Sequence, residues 1–434
     1  MSLLKQSASV FLTRISMLVL GIVSSIVVNR LLGPTYRGML EILSTLPFLI
    51  VNLGSFGIGN ANLYFTGKKT YPIEKIVSNS LSVVLILSGM LLAVAFAIVL
   101  IFRQSLFQSI PPLYIVIAFS IIPMLLLEKN VQYTLLGKQD IYRRNFLILL
   151  QGLTNFFGIM CLVWLFDLGI VGVLIASLLS YLIASTMNLQ SLANLASLSL
   201  SFDYKMTLRF IQFGLIPFLA LAIMNLNYRL DVFLIKYFLT DAELGYYGVG
   251  VSLSEKIWMI PQSIGLVLFS VVSNSTEKKA NLVTPQVCRI VLFLSAAAGL
   301  ILYFFIPILL PLMYGKAYNP AIVPFRMILP GIVMMTVYLI LYGDLAGRGK
   351  NWYGLMVSGS GLILNIAMNL ALIPLMGIKG AALSSTISYS SSAILIAVIF
   401  SRKYSIPLTS LLVITSSDVR IIRDRMVHGT RKNA

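Results

Sequence analysis

Long apolar stretches, separated by short polar breaks, run through almost the whole chain. A membrane-spanning helix needs about 20 mainly apolar residues, and twelve stretches of this kind can be distinguished. They are predicted at 9–32, 38–66, 76–102, 112–136, 143–166, 168–190, 207–238, 243–272, 283–313, 318–346, 351–373 and 377–401. The breaks contain residues typical of turns, as in Gly33-Pro34 and Pro111-Pro112. The pattern predicts an all-α polytopic membrane protein with about twelve spans.

The first six predicted spans resemble the last six in sequence. The segment GIVGVLIASLLSY at 169–181 matches GIKGAALSSTISY at 377–389 with an offset of 208 residues. Two further pairs have nearly the same offset, Asn155 with Asn365 at 210 and Gly38 with Gly245 at 207. Each half has an even number of spans, so both halves enter the membrane the same way up, as in a parallel repeat. The sequence therefore predicts two six-helix lobes around a central cavity.

The repeat predicts three parts of the chain. These are an N-terminal lobe at 1–198, a C-terminal lobe at 199–401 and a basic tail at 402–434. Within the tail, the stretch DVRIIRDRM at 418–426 has two interpretations. It is either a short helix on the anionic membrane surface or a disordered end.

Basic residues predict the orientation of the chain, because Lys and Arg accumulate in short cytoplasmic loops. With the N-terminus inside, most basic residues fall on the cytoplasmic side. This set includes Lys129, Lys138, Arg143 and Arg144. The sequence therefore predicts a multi-pass membrane protein with both termini in the cytoplasm.

Composition agrees with a membrane protein. Hydrophobic residues make up 58% of the chain, charged residues 11%, and the mean hydropathy is +0.94. A soluble domain has about 45–50% apolar and 25% charged residues. The net charge of +18 would indicate nucleic-acid binding in a soluble protein. Here the basic residues lie mostly in loops and the tail, which favours topology signals and anionic lipids over nucleic acid.

The sequence gives little support for metal or hydrolase chemistry. Two cysteines and one histidine cannot form the usual ligand spacing of a metal site. Cys161 and Cys288 lie in or beside apolar segments, so no disulfide is expected, and His428 lies in the polar tail. We therefore expect no metal and no cofactor, and neither a Ser/His/Asp triad nor a zinc hydrolase has support in the sequence.

One stretch, 225–256, carries charges inside segments of membrane length. It reads NLNYRLDVFLIKYFLTDAELGYYGVGVSLSEK. A charge at the centre of a bilayer costs roughly 2.5–3.5 kcal/mol on insertion scales, so such residues normally face a protein interior or a watery cavity. The charges inside the apolar segments are Arg229, Asp231, Lys236, Glu255 and Lys256. Our hypothesis is that they line a translocation cavity.

Two segments resemble a known family. LLGPTYRGMLEILSTLPFLIVNLGSFGIGNANLYF at 31–65 resembles the first loop and second helix of bacterial polysaccharide (O-antigen type) flippases. The stretch 227–258, NYRLDVFLIKYFL followed by ELGYYGVGVSLSEKIW, is similar to their seventh and eighth helices. These flippases belong to the multidrug/oligosaccharidyl-lipid/polysaccharide exporter superfamily, and the resemblance covers essentially 1–401.

This resemblance implies a transport activity. The expected cargo is an undecaprenyl-pyrophosphate-linked oligosaccharide, such as an O-antigen or exopolysaccharide repeat unit, that moves from the inner to the outer leaflet. Family members are expected to have two six-helix bundles in a V, with a cationic cavity on the first, second, seventh and eighth helices. The expected energy source is an H⁺ or Na⁺ gradient or the membrane potential, without ATP. The expected partners are membrane lipids and the polysaccharide polymerase machinery.

Arg14 is a cation inside the first predicted span. Spacings of seven, four and four residues place Gly21, Ser25 and Asn29 on roughly its helix face. A guanidinium offers a forked set of donors that suits a pyrophosphate. The competing interpretation is that Arg14 reaches the nearby cytoplasmic headgroups. We predict that Arg14 and Ser25 bind substrate.

The seventh span carries two amides and two charges on different faces. Asn225 and Arg229 share one face, and Asn227 and Asp231 share another, because residues four apart are neighbours on a helix. Anchoring at the outer interface is the alternative to a cavity role. Apolar residues continue beyond Arg229, which favours the cavity. We predict Asn225 and Arg229 as substrate-binding residues and Asp231 as a site for a coupling cation.

The eighth and tenth spans add further candidates. Glu255 and Lys256 lie near the middle of the eighth span. They either line the cavity, with Lys256 binding substrate and Glu255 a coupling cation, or form a buried structural pair. Arg326, near the start of the tenth span, is either a substrate-binding cation or an interface anchor. Asp344 is expected to balance the two basic residues after it, Arg348 and Lys350.

The repeat indicates that the fold does not require these charges. With the offset of 207, Arg229 corresponds to Ile22 and Glu255 to Phe48. The first lobe therefore builds the same helices without these charges, and we interpret them as functional. Arg14, whose counterpart is Leu221, is the separate contribution of the first lobe.

Two other functions stay open. A cation-coupled multidrug exporter of the same superfamily would have a more acidic or aromatic binding lobe, whereas 225–256 and Arg14 favour anions. A polysaccharide polymerase or ligase would need a large outer loop with catalytic side chains, whereas the outer connections here are short and lack histidine. The sequence therefore favours a flippase.

Overall fold

The computed structural model describes residues 3–415 and residue 418, and all regular elements in this part of the chain are helical. The α-helices of the described residues are α1 (Leu3–Gly54), α2 (Ile58–Lys68), α3 (Ile73–Ile101), α4 (Pro112–Phe119), α5 (Ile122–Gly137), α6 (Ile141–Ile159), α7 (Gly169–Ala193), α8 (Tyr204–Phe238), α9 (Asp241–Ser254), α10 (Met259–Ser273), α11 (Glu277–Tyr314), α12 (Ile322–Gly347), α13 (Asn351–Met376), α14 (Ile378–Tyr404) and α15 (Leu408–Leu412).

Eleven helical segments of the described chain are long and apolar enough to cross a membrane. The first, Ser9–Gly54, covers the first predicted span and most of the second, and it is interrupted between them at Gly33. The φ angle of Gly33 is +76°, which glycine adopts without steric cost. Pro34 disfavours a helical conformation at the preceding residue, so the helix breaks there. The prediction of an all-α protein with about twelve spans is confirmed.

The predicted eighth span also has an irregular centre. Helices α9 and α10 are joined by a 3₁₀ turn at Glu255–Trp258. Pro261 lacks an N–H, and its ring clashes with the carbonyl four residues earlier. The helix therefore tightens just before Pro261, and Glu255 and Lys256 lie on this turn. A 3₁₀ stretch inside a long helix often marks a hinge.

The chain divides into two compact units by its internal contacts. Unit 1 comprises Met1–Tyr246 with Leu312–Tyr318, and unit 2 comprises Tyr247–Pro311 with Asn319–Ala434. The boundary therefore falls inside α9, and α8 belongs to unit 1. Contacts and sequence repetition are different criteria, so the lobe boundary between residues 198 and 199 stays a prediction.

Glycine explains why α8 packs so closely in unit 1. A Cβ atom on Gly57 would lie 2.3 Å from the carbonyl oxygen of Gly214, and a Cβ on Gly214 would lie 2.2 Å from that of Gly57. No larger residue fits at either position, because these distances are far below van der Waals contact. Small residues at such crossings let the backbones of membrane helices approach closely.

A second close contact in unit 1 joins residues that the repeat pairs. A Cβ on Gly38 would lie 1.8 Å from the carbonyl oxygen of Asp241, and a Cβ on Gly245 would lie 2.0 Å from that of Pro34. Pro34 and Asp241 are separated by the same 207 residues as Gly38 and Gly245. The contact is therefore reciprocal, and it needs glycine at both pseudo-equivalent positions.

In unit 2, α12 is the most buried long helix of those described, and small residues of α14 pack against it. A Cβ on Gly331 would lie 2.6 Å from the Cα of Thr386, and Thr386 donates a hydrogen bond of 2.6 Å to the carbonyl of Met327. The Trp258 indole donates to the carbonyl of Ile332 at 2.9 Å. Side chains thus bond directly to the backbone of α12.

A cluster of charged and polar side chains lies at the C-terminal end of α12. Asp344 is fully buried, and its carboxylate lies 2.5 Å from Arg348 Nε. Arg348 Nη2 also donates to Asn281 at 2.8 Å, and the guanidinium carbon lies 3.9 Å from the centre of the Tyr404 ring. The Thr284 hydroxyl donates to the same carboxylate. The prediction that Asp344 balances Arg348 is confirmed.

The start of the tail is attached to α11. Arg289 Nη2 donates to Asp418 Oδ1 at 2.9 Å, and the hydrogen bonds from Arg289 hold the pKa of Asp418 well below its usual range. The rest of the stretch 418–426, predicted as a surface helix or a disordered end, lies outside the described residues, as does His428.

The cluster around Asp344 gives a prediction about stability. Arg348→Ala removes the cation that neutralises a buried carboxylate, so we expect it to destabilise the protein by about 3–5 kcal/mol. Thermal unfolding of the purified protein in detergent measures this loss. Lys350→Ala, two residues away and exposed, is the control and should unfold like the wild type. Replacing both partners, as in Asp344→Leu with Arg348→Met, should restore part of the stability; equal loss in the control would contradict the role of the pair.

Candidate functional site

Unit 1 contains an open cleft among α1, α2, α5 and α8. It holds about 420 Å³ of space, part of it continuous with the surroundings. Its lining is rich in amides and small residues and consists of Asn52, Ser55, Gly57, Gly59, Asn60, Lys129, Tyr133, Phe218, Leu221, Ala222 and Asn225. The structure therefore places one predicted substrate residue, Asn225, on the cleft surface. Asn52, on the second predicted span, also lines it.

Lys129 is the cation of this cleft. Its Nζ atom reaches from α5 to α1 and donates to Asn52 Oδ1 at 3.0 Å and to Ser55 Oγ at 3.1 Å. An ammonium group has three donors, so one N–H is left for a ligand or water. The sequence analysis counted Lys129 only as a charge on the cytoplasmic side, whereas the structure shows that its side chain contacts Asn52 and Ser55.

A second polar cluster occupies the neighbouring face of α5. Gln132 Nε2 donates to Glu128 Oε1 at 2.5 Å, and Gln151 of α6 lies beside the Glu128 carboxylate. Tyr181 of α7 lies beside Gln151. Three helices thus contribute polar side chains around one carboxylate.

The positive charge of Arg144, on α6, acts on this carboxylate. The charge of Arg144 interacts with Arg14, Tyr133 and Glu128. Its Nε atom is buried and has no hydrogen-bond partner. The sequence analysis counted Arg144 as a charge on the cytoplasmic side, and the structure places it in the first turn of α6. Unit 1 therefore contains a guanidinium that the sequence analysis did not single out, and its charge acts on the predicted Arg14.

A spacing signal for these residues was present in the sequence. Glu128 with Gln132, and Lys129 with Tyr133, are pairs four residues apart within a predicted span. Such pairs are neighbours on a helix surface, so α5 carries two adjacent polar stripes. Basic residues near a predicted helix end also serve as topology signals. Because Lys129 was interpreted in this way, its contact with the cleft was not predicted.

Ser25 and Asn29 share a helix face, as predicted, and the amide of Asn29 donates to Ser25 Oγ at 2.9 Å. Ser25 Oγ lies 3.2 Å from the Tyr314 hydroxyl, and the Tyr318 hydroxyl donates to Asn29 Oδ1 at 3.4 Å. Ser25 therefore belongs to a cluster with two tyrosines of the 312–318 segment. The hydrogen bonds of this cluster involve neither Arg144 nor Glu128.

The α8 residues differ in exposure. Asn227 and Asp231 are buried, whereas Asn225 and Arg229 are half-buried. Asp231 Oδ1 accepts a hydrogen bond of 2.9 Å from the backbone N–H of Val232. The two predicted faces are therefore distinct in the structure, and the face of Asn225 is the one that lines the cleft.

The remaining predicted residues lie in unit 2. On the 3₁₀ turn, Glu255 is half-buried and Lys256 is exposed. Arg326 Nε donates to the carbonyl of Tyr303 at 3.0 Å, and its guanidinium lies 4.6 Å from the centre of that ring. Arg326 thus links α12 to α11, while Arg14, Ser25, Asn225, Arg229 and Asp231 belong to unit 1.

Solved structures with this fold are membrane transporters. The lipid II flippase MurJ, in an inward closed conformation, has a TM-score of 0.74 and 15% identity, with 94% of this chain and 91% of MurJ covered. An inward-facing multidrug resistance MATE transporter of the MOP superfamily has a TM-score of 0.71 and 14% identity, covering 90% and 94%. The Vibrio cholerae MATE transporter VcmN, solved as a mutant, has a TM-score of 0.59 and 14% identity, covering 92% and 97%.

A family profile covers most of the chain. No curated protein matches the sequence significantly. The profile described as polysaccharide biosynthesis protein matches residues 27–323, which include the cleft, Arg144 and the α8 residues. The structural neighbours are transporters and flippases, and the length and apolar composition of the helices agree with a multi-pass membrane protein. The chain therefore belongs to the polysaccharide biosynthesis protein family, and it has the fold of MurJ and the MATE transporters.

Proposed function

We propose that this protein is a flippase for a polyprenyl-diphosphate-linked oligosaccharide, an O-antigen or exopolysaccharide repeat unit. It moves the polar head of the lipid across the bacterial inner membrane by alternating access, while the polyprenyl tail stays in the bilayer. Both termini lie in the cytoplasm. The family and the MurJ-like fold support a flippase, and the chemistry of the unit 1 cleft supports this class of cargo.

The observation that carries the proposal is the polar lining of a cleft within membrane-length helices. Lys129 supplies a positive charge, and Asn52, Asn60, Ser55 and Asn225 supply amide and hydroxyl groups. Sugar hydroxyls are recognised by groups that can both donate and accept hydrogen bonds, and phosphates by cationic donors. Polar side chains at membrane depth are costly and normally have a function.

The predicted residues have separate roles in this proposal. Arg14, Arg229, Lys256 and Arg326 attract the diphosphate at successive stages, and Asn225 and Ser25 contact the sugars. Asp231 and Glu255 bind the coupling H⁺ or Na⁺. A bound cation shifts the balance of inward- and outward-facing states only through its different affinity for the two. The polysaccharide polymerase machinery receives the product at the outer leaflet.

A cation-coupled multidrug exporter is the second candidate, because MATE transporters share the fold. Drug cations need an acidic or aromatic pocket, whereas the unit 1 cleft contains Lys129 and no carboxylate among its lining residues. Flipping of a lipid-linked oligosaccharide by the purified protein, without efflux of cationic dyes by cells that express it, would distinguish the two functions.

Removing the cation of the cleft should impair flipping. We expect Lys129→Ala to slow transport by about 10- to 100-fold, the loss that corresponds to one hydrogen bond to a charged group. The rate is measured as accessibility of a lipid-linked oligosaccharide at the outer leaflet of proteoliposomes. Lys138→Ala, at the exposed end of α5, is the matched control. Equal rates for both variants and the wild type, at equal protein abundance, would refute the role of Lys129.

The buried carboxylate of α8 gives a prediction about coupling. In proteoliposomes with an imposed H⁺ or Na⁺ gradient, we expect Asp231→Asn to retain basal flipping and to lose the stimulation by the gradient. The reason is that the amide has nearly the same shape but cannot exchange a proton or neutralise a bound cation. Stimulation that persists in Asp231→Asn and disappears in Glu255→Gln would transfer the role to the 3₁₀ turn.

A further inference from the structure

The connection between α7 and α8 carries a row of exposed apolar side chains. The row consists of Leu198, Leu200, Phe202 and Tyr204, which alternate with polar residues, and between 45% and 67% of each is exposed. It follows a helix of membrane-spanning length that ends at Ala193. Exposed apolar residues that lie together in this way mark a surface that binds a partner or a membrane.

The polar residues of the connection hold it against α3. Ser199 Oγ lies 2.7 Å from Ser78 Oγ. The backbone N–H of Asp203 donates to Asn79 Oδ1 at 2.8 Å, and the amide of Asn79 donates to the hydroxyl of Thr207 at 3.0 Å. The odd-numbered positions therefore contact α3, and the apolar side chains at the even-numbered positions stay at the surface.

Aromatic packing fixes the start of α8 in the same region. The rings of Phe210 and Phe65 stack with their centres 4.6 Å apart, and Met206 is buried in the same cluster. The Arg209 guanidinium donates to the Tyr71 hydroxyl at 3.1 Å. The first turns of α8 are thus held at a defined rotation about the helix axis, so the face that they expose is defined as well.

The apolar row continues along the exposed face of α8. Tyr204, Leu208, Leu215 and Leu219 follow one another at spacings of four, seven and four residues, and all four are exposed. Residues at these spacings lie on one face of an α-helix. The later part of α8, from Phe218, is long and apolar enough to cross a membrane. The row therefore extends a lipid-facing surface, which favours a lipid over a protein as its partner.

Basic side chains flank the apolar row. Lys205 and Arg209 are exposed, and they are neighbours on α8 because they are four residues apart. Lys75 Nζ lies 3.0 Å from the Asp203 carboxylate, and about half of its side chain, 53%, is exposed. An ammonium has three donors and a guanidinium has five, so these cations have donors left for a phosphate.

The charge of this region is positive. The ranges 68–75 and 203–209 together contain five basic residues and two acidic ones, Glu74 and Asp203. The carboxylate of Asp203 accepts from the backbone N–H of Met206 at 2.9 Å and pairs with Lys75. These contacts hold the pKa of Asp203 below its usual range. A surplus of exposed positive charge beside a membrane attracts anionic headgroups.

We propose that Leu198, Leu200, Phe202, Tyr204, Lys205 and Arg209, here called the linker surface, bind an anionic phospholipid. The acyl chains lie against the apolar row, and the phosphate lies beside the two cations, which are suitable donors for it. Aromatic side chains such as Phe202 and Tyr204 favour the boundary between acyl chains and headgroups. The inference goes beyond the proposed function, because it does not depend on the cargo.

A fluorescent label at position 201 tests the proposal with the full chain in nanodiscs. Ser201 is exposed between two residues of the row, so Ser201→Cys introduces the label without removing an apolar side chain. Cys161→Ala and Cys288→Ala make the label unique. The quenchers are phosphatidylglycerol, which is anionic, and phosphatidylcholine, which is zwitterionic, each with a nitroxide on an acyl chain. Titration of their mole fractions gives a relative affinity, and we expect a preference for phosphatidylglycerol.

Removing two cations should remove this preference. Each basic residue near an anionic surface strengthens binding by about fivefold, so Lys205→Gln with Arg209→Gln should lower the preference by about 25-fold or abolish it. Salt at 1 M, which shortens the screening length to about 3 Å, should have the same effect on the unchanged surface. Lys316→Gln with Lys379→Gln removes two exposed lysines outside the linker surface and is the matched control. It should keep the preference.

The apolar row has a test of its own. Leu200→Ser with Phe202→Ser should weaken quenching by both phospholipids, because the connection loses its contact with the acyl chains. Both side chains are exposed, so the variant should unfold at the same temperature as the parent chain. Unchanged quenching in this variant would overturn the role of the row.

Three results would overturn the proposal as a whole. The label could be quenched equally by both phospholipids, or by neither, as when the connection lies in water or under a protein. The preference could also persist without Lys205 and Arg209, or fall equally in the control. Flipping of a lipid-linked oligosaccharide is measured separately. Loss of lipid preference with unchanged flipping leaves the proposed function intact, and absent flipping with a clear lipid preference refutes the proposed function alone.

Discussion

The cost of leaving a polar group without a partner inside a membrane is the constraint on which this structure depends. Because the bilayer core offers no water, backbone groups are satisfied within helices, and the described chain has no other regular element. Charged side chains obey the same rule. Lys236 pairs with Asp241, Asp344 pairs with Arg348, and Lys129 donates to the side-chain oxygens of Asn52 and Ser55. Most intramembrane charges are thus accounted for by a neighbouring side chain.

Arg144 departs from this pattern. The pairs Lys236–Asp241 and Asp344–Arg348 each join one cation to one carboxylate, and their role in holding helices together is sufficient to explain them. The guanidinium of Arg144 is acted on by the carboxylate of Glu128, but its buried Nε atom has no hydrogen-bond partner. The contacts of Arg144 are therefore less complete than those of the two ion pairs.

The fold could be predicted from the sequence, but only part of the candidate site could. Span length and the Gly33-Pro34 break follow from local rules, so the helical architecture could be predicted. The shared face of Ser25 and Asn29 follows from helical spacing. The role of Lys129 could not be predicted, because a lysine near a predicted helix end has the same sequence signal whether it faces water or another helix. Its direction depends on how α5 packs against α1, which is a long-range property of the fold.

The two halves of the chain use the repeat in different ways. The sequence indicated that charges on the seventh and eighth spans have neutral counterparts in the first half, with Arg14 as the only addition there. The structure adds Glu128 and Arg144, whose counterparts at an offset of 210 are Tyr338 and Gly354, and these two make a neutral contact. Each half therefore carries charges where the other half shows that the fold does not need them. Because these charges are not equivalent, the two halves differ in the charged groups that they carry. For the proposed flippase, such an asymmetry suits a carrier that must bind its cargo on one side and release it on the other.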